Sequence, residues 1–146
     1  MPIPARISIV TLGTHDLEKM RAFFVGLGWR ETAHFPEFSM FDTGGALLAL
    51  YPFDKLAEDG HVPAGAQQPA YRGFALALNV ETPELVDSTI DALRAAGATI
   101  TKAPENAVWG GRSAYFTDPE HNLWEVAWHP AVAFDARGAL VPKAAP

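Results

Sequence analysis

The sequence predicts an α+β fold built from two βαβββ modules. Short segments rich in β-branched and apolar residues, typical of strands, alternate with two segments whose apolar residues recur at helical spacing. Each helical segment ends at a glycine, Gly28 or Gly97, which is a natural helix stop. Each lies between one predicted strand and three more, so the same order of elements occurs twice. A duplicated module explains this order better than an unrelated α+β succession does.

Composition limits the classes of function. The 146 residues match the size of a single domain, predicted over 1–146, and the net charge of −6 argues against nucleic acid, which requires a basic surface. The chain has no cysteine, which excludes thiolate chemistry and predicts a cytoplasmic location. The first residues lack the basic start and apolar stretch of a signal peptide, and no apolar run is long enough to cross a bilayer. We therefore expect neither nucleic acid nor a membrane as a partner.

The first module is predicted over residues 6–52. Its first strand is the β-branched segment Arg6–Leu12, and Asp16 is placed to cap the helix that follows. The apolar stripe of that helix consists of Leu17, Met20, Phe24 and Leu27. Three more strands follow, joined by turns rich in Pro and Gly: Trp29–His34, Phe38–Asp42 and Ala46–Tyr51.

The second module is predicted over residues 73–130, after a connector over 53–72 that mixes Pro, Gly, Gln and charged residues. One short helix is possible in the connector, around Asp54–Glu58. The module opens with the strand Phe74–Val80, and Thr82 then caps a helix that has Pro83 at its first position. Its last three strands are predicted at Ala98–Lys102, Arg112–Thr117 and Leu123–Trp128. Residues 131–146 form a C-terminal tail with no predicted element.

Three motifs occur in a fixed order along residues 6–130. They are Asp16-Leu17-Glu18 with Phe23-Phe24 and Leu27-Gly28-Trp29, then Leu93–Ala98, then Tyr115–Val126 with the turn Asp118-Pro119-Glu120-His121-Asn122. Their order and spacing resemble the vicinal oxygen chelate superfamily, which includes glyoxalases, bleomycin-resistance proteins and ring-cleaving dioxygenases. His121 stands where that family usually has glycine, so a positive φ at this position would strain the chain.

The resemblance implies that each module forms a curved half-barrel sheet and that the two sheets enclose a cleft. Metal-dependent members place His or Glu ligands at four strand positions, which fall here on Ile9, Ala49, Ala75 and Glu125. Three aliphatic side chains offer a divalent cation no donor, and one carboxylate is not enough to hold it. The sequence therefore predicts no metal and no other cofactor.

Strand register with these four positions gives the predicted lining of the cleft. These ligand-binding residues are Ile9, Thr11, Leu47, Ala49, Tyr51, Ala75, Ala77, Asn79, Glu125 and His129. Most are small or apolar, as is usual in small-molecule pockets. In the alternative, large side chains of the connector fill the space. The opposite strand faces, which include Trp124 and Trp128, are expected to pack against the helices.

Glu125 is the candidate catalytic residue. Its carboxylate would lose hydration in an apolar cleft, which suits it to general acid–base work or to binding an amine. In the alternative it is a relic that Arg112 or His129 neutralises. His129 lies four residues farther along the same strand face, about 13 Å away on an ideal strand, so the two side chains do not form a hydrogen-bonded dyad.

The loop before the strand Arg112–Thr117 adds two ligand-binding candidates. Trp109 offers a stacking face beside two glycines, and Arg112 can clamp a carboxylate or a phosphate. In the alternative, Trp109 plugs a glycine hairpin. Tyr115, on the strand itself, either reaches the cleft or belongs to the core.

Two functions remain open for the sequence. The first is metal-independent binding of a small, partly apolar molecule, similar to the bleomycin-resistance branch. The second is a lyase, isomerase or dioxygenase-type enzyme of the same fold. Such an enzyme would use Glu125 as an acid–base, or would combine it with His129 and His61 in an atypical metal site. Family members often pair, so the resemblance also implies a homodimer.

Overall fold

The computed structural model describes residue 3 and residues 5–65 and 71–143. Residues 66–70 of the predicted connector, residues 144–146 of the predicted tail, and residues 1, 2 and 4 lie outside the described residues. The chain divides into two compact units. One is Met1–Ala64 with Arg137–Ala139, and the other is Gly65–Ala136 with Leu140–Pro146.

The first unit contains one four-stranded sheet. Its elements in chain order are β1 (Ile9–Thr14), α1 (Leu17–Gly26), β2 (Glu31–Phe35), β3 (Phe38–Phe41), β4 (Leu47–Pro52) and α2 (Phe53–Asp59). The strand order in the sheet is β1-β4-β3-β2. β1 pairs with β4 in parallel, and the other neighbours are antiparallel. This is the predicted βαβββ order.

Helix α1 begins and ends where the sequence predicts. The Asp16 side chain accepts a hydrogen bond from the backbone N–H of Lys19 over 3.0 Å, and Gly28 has a φ of 82° just beyond the end of the helix. One side of the helix is buried with the inner residues of the sheet. That core includes Met20, Phe23 and Phe24 of α1 and Leu12, Phe41, Leu48 and Leu50 of the strands.

The second unit repeats this order. Its elements are β5 (Leu76–Asn79), α3 (Pro83–Ala95), β6 (Thr99–Asn106), β7 (Arg112–Thr117) and β8 (Leu123–Trp128). The strand order is β5-β8-β7-β6, with β5 parallel to β8. A separate two-stranded hairpin follows, made of β9 (Val132–Phe134) and β10 (Leu140–Pro142).

Helix α3 packs on β6, β7 and β8. Thr82 caps it, since its hydroxyl accepts a hydrogen bond from the backbone N–H of Leu85, and Pro83 occupies its first turn. The buried residues of the helix and of the strands beneath it are Val86, Ile90, Leu93, Ala114, Phe116, Trp124 and Val126. Trp124 therefore belongs to the helix-facing side of the sheet, as predicted.

The structure confirms the predicted α+β class but moves several element boundaries. The first strand is Ile9–Thr14 rather than Arg6–Leu12, because pairing with β4 continues through Thr14. A Cβ atom on Gly13 would lie 2.9 Å from the ring of Phe53, so glycine lets α2 pack against this end of β1. β6 reaches Asn106, which shortens the predicted loop, and the predicted tail contains β9 and β10. No helix in the described ranges is long and apolar enough to cross a membrane.

Candidate functional site

The second sheet has an open face, which points away from α3 and consists of the side chains in register with Glu125. Pairing of β5, β8 and β7 places Ala77, Glu125 and Tyr115 side by side on this face. The neighbouring row on the same face consists of Asn79, Ala127 and Ser113. Ala77 is exposed, Asn79, Glu125 and Tyr115 are half-buried, and Ala127 and Ser113 are buried. A carboxylate and a phenol thus stand together among mostly small side chains.

Tyr115 and Glu125 are joined by a hydrogen bond. The phenol oxygen of Tyr115 donates to Oε2 of Glu125 over 2.7 Å, and this bond orients the carboxylate. The bond raises the pKa of Tyr115 to about 12, because it stabilises the protonated phenol; burial and the negative charge of Glu125 act in the same direction. Of the two alternatives for Tyr115, the structure therefore places it on the face of the candidate site.

Lys102 completes this row of polar residues. A shift of register in the β6–β7 pair places it opposite Tyr115, with its Nζ 5.6 Å from the centre of the ring. The same ammonium lies 3.0 Å from Oε1 of Glu105, which balances its charge. Among the described residues, no cationic side chain lies within 4.0 Å of the Glu125 carboxylate. Glu125 has a hydrogen-bond donor but no countercharge.

The turn at residues 118–122 fixes where β8 begins, and therefore where Glu125 lies. Asp118 is buried, and its Oδ1 accepts hydrogen bonds from the backbone N–H groups of Glu120 and Asn122 over 2.9 and 3.0 Å. Its Oδ2 accepts the indole N–H of Trp124 over 2.9 Å. His121 has a φ of 64°, so the position does adopt the left-handed conformation that favours glycine.

Trp109 and His129 contact each other. Their ring centres lie 5.3 Å apart with 24° between the planes. A Cβ atom on Gly111 would lie 1.9 Å from the Trp109 ring, so the indole folds over this glycine. Nδ1 of His129 accepts the backbone N–H of Ala131 over 2.9 Å. Trp109 nevertheless stays 47% exposed, so it both packs over the hairpin and presents surface.

Arg112 does not join Glu125 on the open face. It stands on the helix-facing side of β7, where its Nε and Nη2 donate to the two carboxylate oxygens of Asp87 over 2.7 and 2.8 Å. These hydrogen bonds hold the pKa of Asp87 below its ordinary value. Helix α3 therefore already supplies Arg112 with a carboxylate partner, and its role in binding a ligand stays a prediction. The partner of Glu125 is Tyr115, not Arg112 or His129.

The predicted lining residues of the first unit form an almost wholly apolar set. Ile9 and Thr11 are exposed, Leu47 and Tyr51 are half-buried, and Ala49 is buried. None carries a charge. Among the predicted lining residues, Glu125 of the second unit carries the negative charge, and Ala75 of the same unit is exposed.

Comparison with known proteins identifies the family of the chain. The sequence model of the Glyoxalase/Bleomycin resistance protein/Dioxygenase superfamily matches residues 6–126. The chain belongs to this superfamily. Its fold, with two open four-stranded sheets, is the vicinal oxygen chelate fold that the motifs predicted.

Individual relatives in this superfamily are similar along most of the chain. An uncharacterized protein, YraH of Bacillus subtilis, is 29% identical over 124 residues, which cover 80% of this chain and 93% of YraH. The crystal structure of a glyoxalase-related enzyme from Fulvimarina pelagi has a TM-score of 0.85 and 29% identity, covering 97% of this chain and all of that one. A glyoxalase/bleomycin resistance protein/dioxygenase from Nocardioides has a TM-score of 0.75 and 30% identity, covering 88% of this chain and 85% of its own.

The side chains of this chain do not fit the metal that many superfamily members carry. Three of the four positions that the resemblance assigns to metal ligands are Ile9, Ala49 and Ala75, whose side chains have no donor atom. Across the sheet, the residue paired with Glu125 is Ala77. Within the described residues, no three His, Asp or Glu side chains are grouped closely enough to hold a metal ion.

Sequence reasoning did not find Lys102. Regular pairing of β6 with β7 would place Thr101 opposite Tyr115, but the irregularity between Ile100 and Lys102 replaces it with the lysine. No local pattern in the sequence marks such a shift. For Arg112, in contrast, the sequence does indicate which face of the sheet the side chain occupies. It lies an odd number of residues from Tyr115 on one strand, so the two must face opposite sides.

Proposed function

We propose that this member of the superfamily is a metal-independent binding protein, which holds a small, partly apolar molecule on the open face of its second sheet. The observation that carries the proposal is the carboxylate of Glu125. It is oriented by Tyr115 and flanked by alanine on the neighbouring strand. The small side chain of the exposed Ala77 beside Glu125 suits an apolar ligand, and one oriented polar group would fix the position of that ligand.

The first test of the proposal asks whether the protein binds a metal ion. We expect the purified protein to contain less than stoichiometric transition metal, and a chelator to leave its melting temperature unchanged. A ligand that binds only the folded state raises the melting temperature. If the protein does not bind zinc, nickel or ferrous ions, adding them should therefore leave the melting temperature unchanged. A tightly held ion that survives dialysis and is lost in Glu125→Gln would contradict metal-independent binding.

The location of the site is tested by filling it. Ala77 is exposed directly beside Glu125, so Ala77→Leu should keep the fold and occupy the space above the carboxylate. Compounds that raise the melting temperature of the wild type should lose most of their effect on this variant. Ala92→Leu, which adds the same side chain at an exposed position of α3, is the control and should retain the effect. Equal ligand responses in both variants would place binding elsewhere.

A second candidate function is an enzyme that uses Glu125 as a general acid–base. The hydrogen bond from Tyr115 favours it, since a base must be oriented before it can take a proton. The two candidates differ in the fate of the ligand. A binding protein returns it unchanged after long incubation, whereas an isomerase, lyase or dioxygenase converts it in a reaction that Glu125→Gln abolishes.

We also propose that the protein is a cytoplasmic homodimer. β1 is an edge strand, and it and the segment before it expose the apolar side chains of Ile7 and Ile9, which are 74% and 49% exposed. Apolar residues at a strand edge are commonly covered by a partner. Light scattering should give the mass of a dimer, and Ile7→Lys with Ile9→Lys should give a monomer. The absence of cysteine supports the cytoplasmic location.

A further inference from the structure

We infer that the molecule bound at the open face is an organic amine in its protonated form, with a compact apolar body, and that Glu125 binds its ammonium group. The inference rests on the proposed function, because it names the chemical class of the ligand for the same site. Three features of the described residues support it. Glu125 has no cationic partner, its Oε1 atom accepts no hydrogen bond, and Lys102 is paired with Glu105.

Among the described residues, Glu125 differs from the half-buried carboxylates Glu31 and Asp42 because no cationic side chain is paired with it. Glu31 lies 2.6 Å from Arg21, and Asp42 lies 2.5 Å from Arg30. Among the described residues, the one side chain that hydrogen-bonds Glu125 is the neutral phenol of Tyr115, although Glu125 is also half-buried. Partial burial of an unpaired carboxylate is unfavourable, and a cation that arrives with the ligand removes that cost.

The unused acceptor atoms of Glu125 point to the same class of ligand. Tyr115 donates to Oε2, and among the described residues no hydrogen bond reaches Oε1. A carboxylate only accepts, so its ligand must donate. An ammonium group has three N–H donors and a positive charge, whereas a hydroxyl group offers one donor and no charge.

Lys102 does not offer an anion an equivalent site. Its ammonium is paired with Glu105 at 3.0 Å and lies over the ring of Tyr115. An anion that approached it on this face would meet the negative charges of both Glu105 and Glu125. The alanines beside Glu125, in turn, suit a small apolar body better than a highly polar one.

The test uses three probes of nearly equal size: benzylamine, benzyl alcohol and benzoate. Each is titrated into the full chain at neutral pH, and binding is followed by the NMR shifts of the backbone amides of Ala77 and Glu125. We expect benzylamine to bind about tenfold more tightly than benzyl alcohol, since the difference in free energy between a charge-assisted and a neutral hydrogen bond corresponds to roughly that change in affinity. Benzoate should bind more weakly than either.

Three variants assign the preference to its cause. Glu125→Gln keeps the shape and removes the charge, so benzylamine and benzyl alcohol should bind it equally. Glu58→Gln makes the same change in net charge at an exposed position of α2, and should keep the preference. Tyr115→Phe keeps the carboxylate but removes the phenol that orients it, so it should reduce the preference without abolishing it. Melting curves establish that each variant is folded.

The outcomes separate this inference from the proposed function. Equal binding of the amine and the alcohol to the wild type, or a preference that survives in Glu125→Gln, overturns the amine class while binding at the face stands. Preference for benzoate overturns it in favour of an anion held by Lys102. If no probe shifts these amides at high concentration, both the binding function and the amine class are contradicted.

Discussion

At the scale of single residues, the acidity of Tyr115 reports on Glu125. The hydrogen bond exists only while the phenol keeps its proton, and an ionised phenol would face the carboxylate at close range. The pKa of Tyr115 is therefore raised from 10.0 to about 12. A group whose pKa is raised by folding stabilises the fold below its unfolded pKa. This contribution is lost as the pH rises from 10.0 to about 12.

We predict that this coupling is visible in the ultraviolet absorbance of the phenolate. In the wild type one tyrosine should ionise near pH 12, and Tyr115→Phe should remove that phase. Glu125→Gln should lower the pKa of Tyr115 toward 10.0, because it removes both the charged acceptor and the nearby negative charge. Glu58→Gln should leave the titration unchanged. A late phase that persists in Glu125→Gln would show that the phenol does not donate to this carboxylate in solution.

His121 allows a second test at this scale. Its φ of 64° is unfavourable for any residue with a Cβ atom, by about 1–2 kcal/mol, whereas glycine tolerates it at an entropic cost of about 0.5–1 kcal/mol. We predict that His121→Gly is more stable than His121→Ala by roughly 1 kcal/mol, or about 2–4 °C in melting temperature. Equal melting temperatures would mean that residue 121 leaves the left-handed conformation in solution.

Among the site residues, the sequence predicts those whose position depends on local structure. Glu125 follows the turn that starts at Asp118 by a fixed number of residues, so the motif locates it. The environment of Glu125 depends on pairing between strands that are distant in sequence. The hydrogen bond from Tyr115 to Glu125 and the position of Lys102 over the Tyr115 ring could therefore not be derived from the neighbouring residues alone.

At the scale of elements, β8 is anchored by Trp124. This residue is 3% exposed, and its ring stacks on Phe116 of β7 with 5.9 Å between the ring centres. Its indole N–H donates to Asp118, the first residue of the turn that precedes this strand. The residue thus links the turn, the strand and the core of the second unit. Since Glu125 is the next residue, this anchor also positions the candidate site.

We predict that Trp124→Ala lowers the free energy of unfolding by about 3–5 kcal/mol, the usual cost of removing a buried aromatic side chain. The measurement is the denaturant midpoint, with the slope of the transition unchanged. Trp109→Ala is the matched control, and its cost should be much smaller because Trp109 is 47% exposed. Equal midpoints for the two variants would mean that Trp124 is not part of the core.

The elements differ in how well the sequence predicts them. The ends of α1 and α3 are predicted within one or two residues, because capping residues and glycines act locally. β1 starts three residues later than predicted, and β9 and β10 are not predicted at all. The boundaries of these strands depend on whether a partner strand is present, and neither the composition nor the spacing of residues predicts that pairing.

At the scale of the whole molecule, the two units share one topology but not one chemistry. The predicted lining residues of the first unit are uncharged, whereas the open face of the second carries Lys102, Glu105 and Glu125. A repeated scaffold of this kind can keep its folding pattern while the side chains that face away from the helices change, because the large buried side chains of each unit lie mainly on the helix-facing side. Apolar patterning therefore predicts the repeat but not the site.

In this chain, whose net charge is −6, the paired carboxylates make the stability of the fold depend on pH in the acid range. The pKa of Glu31 is lowered chiefly by the hydrogen bond from Arg21, and that of Asp87 by the hydrogen bond from Arg112. The pKa of Asp42 is lowered by the backbone N–H of Gly44 and then by Arg30. As the pH falls, these carboxylates are protonated in the unfolded chain before they are protonated in the folded one. Their ordinary pKa values, which apply to the unfolded chain, are 4.5 for Glu and 3.8 for Asp. Their contribution is therefore complete above these values and is lost as the pH falls through the lower values of the folded state.

We predict that the urea midpoint changes little between pH about 7 and about 5, then falls steeply as the pH approaches about 3. Asp87→Asn should lower the midpoint at neutral pH, because Arg112 loses its ionised partner, and should also make the acid dependence shallower. Asp91→Asn is the control: Asp91 pairs with Arg94 on the exposed side of α3, where a surface ion pair contributes little, so it should change neither the midpoint nor the slope appreciably. A wild-type midpoint that is independent of pH in the acid range would show that these pairs do not stabilise the fold. If Asp87→Asn kept the full acid dependence, the loss would have to come from the remaining carboxylates.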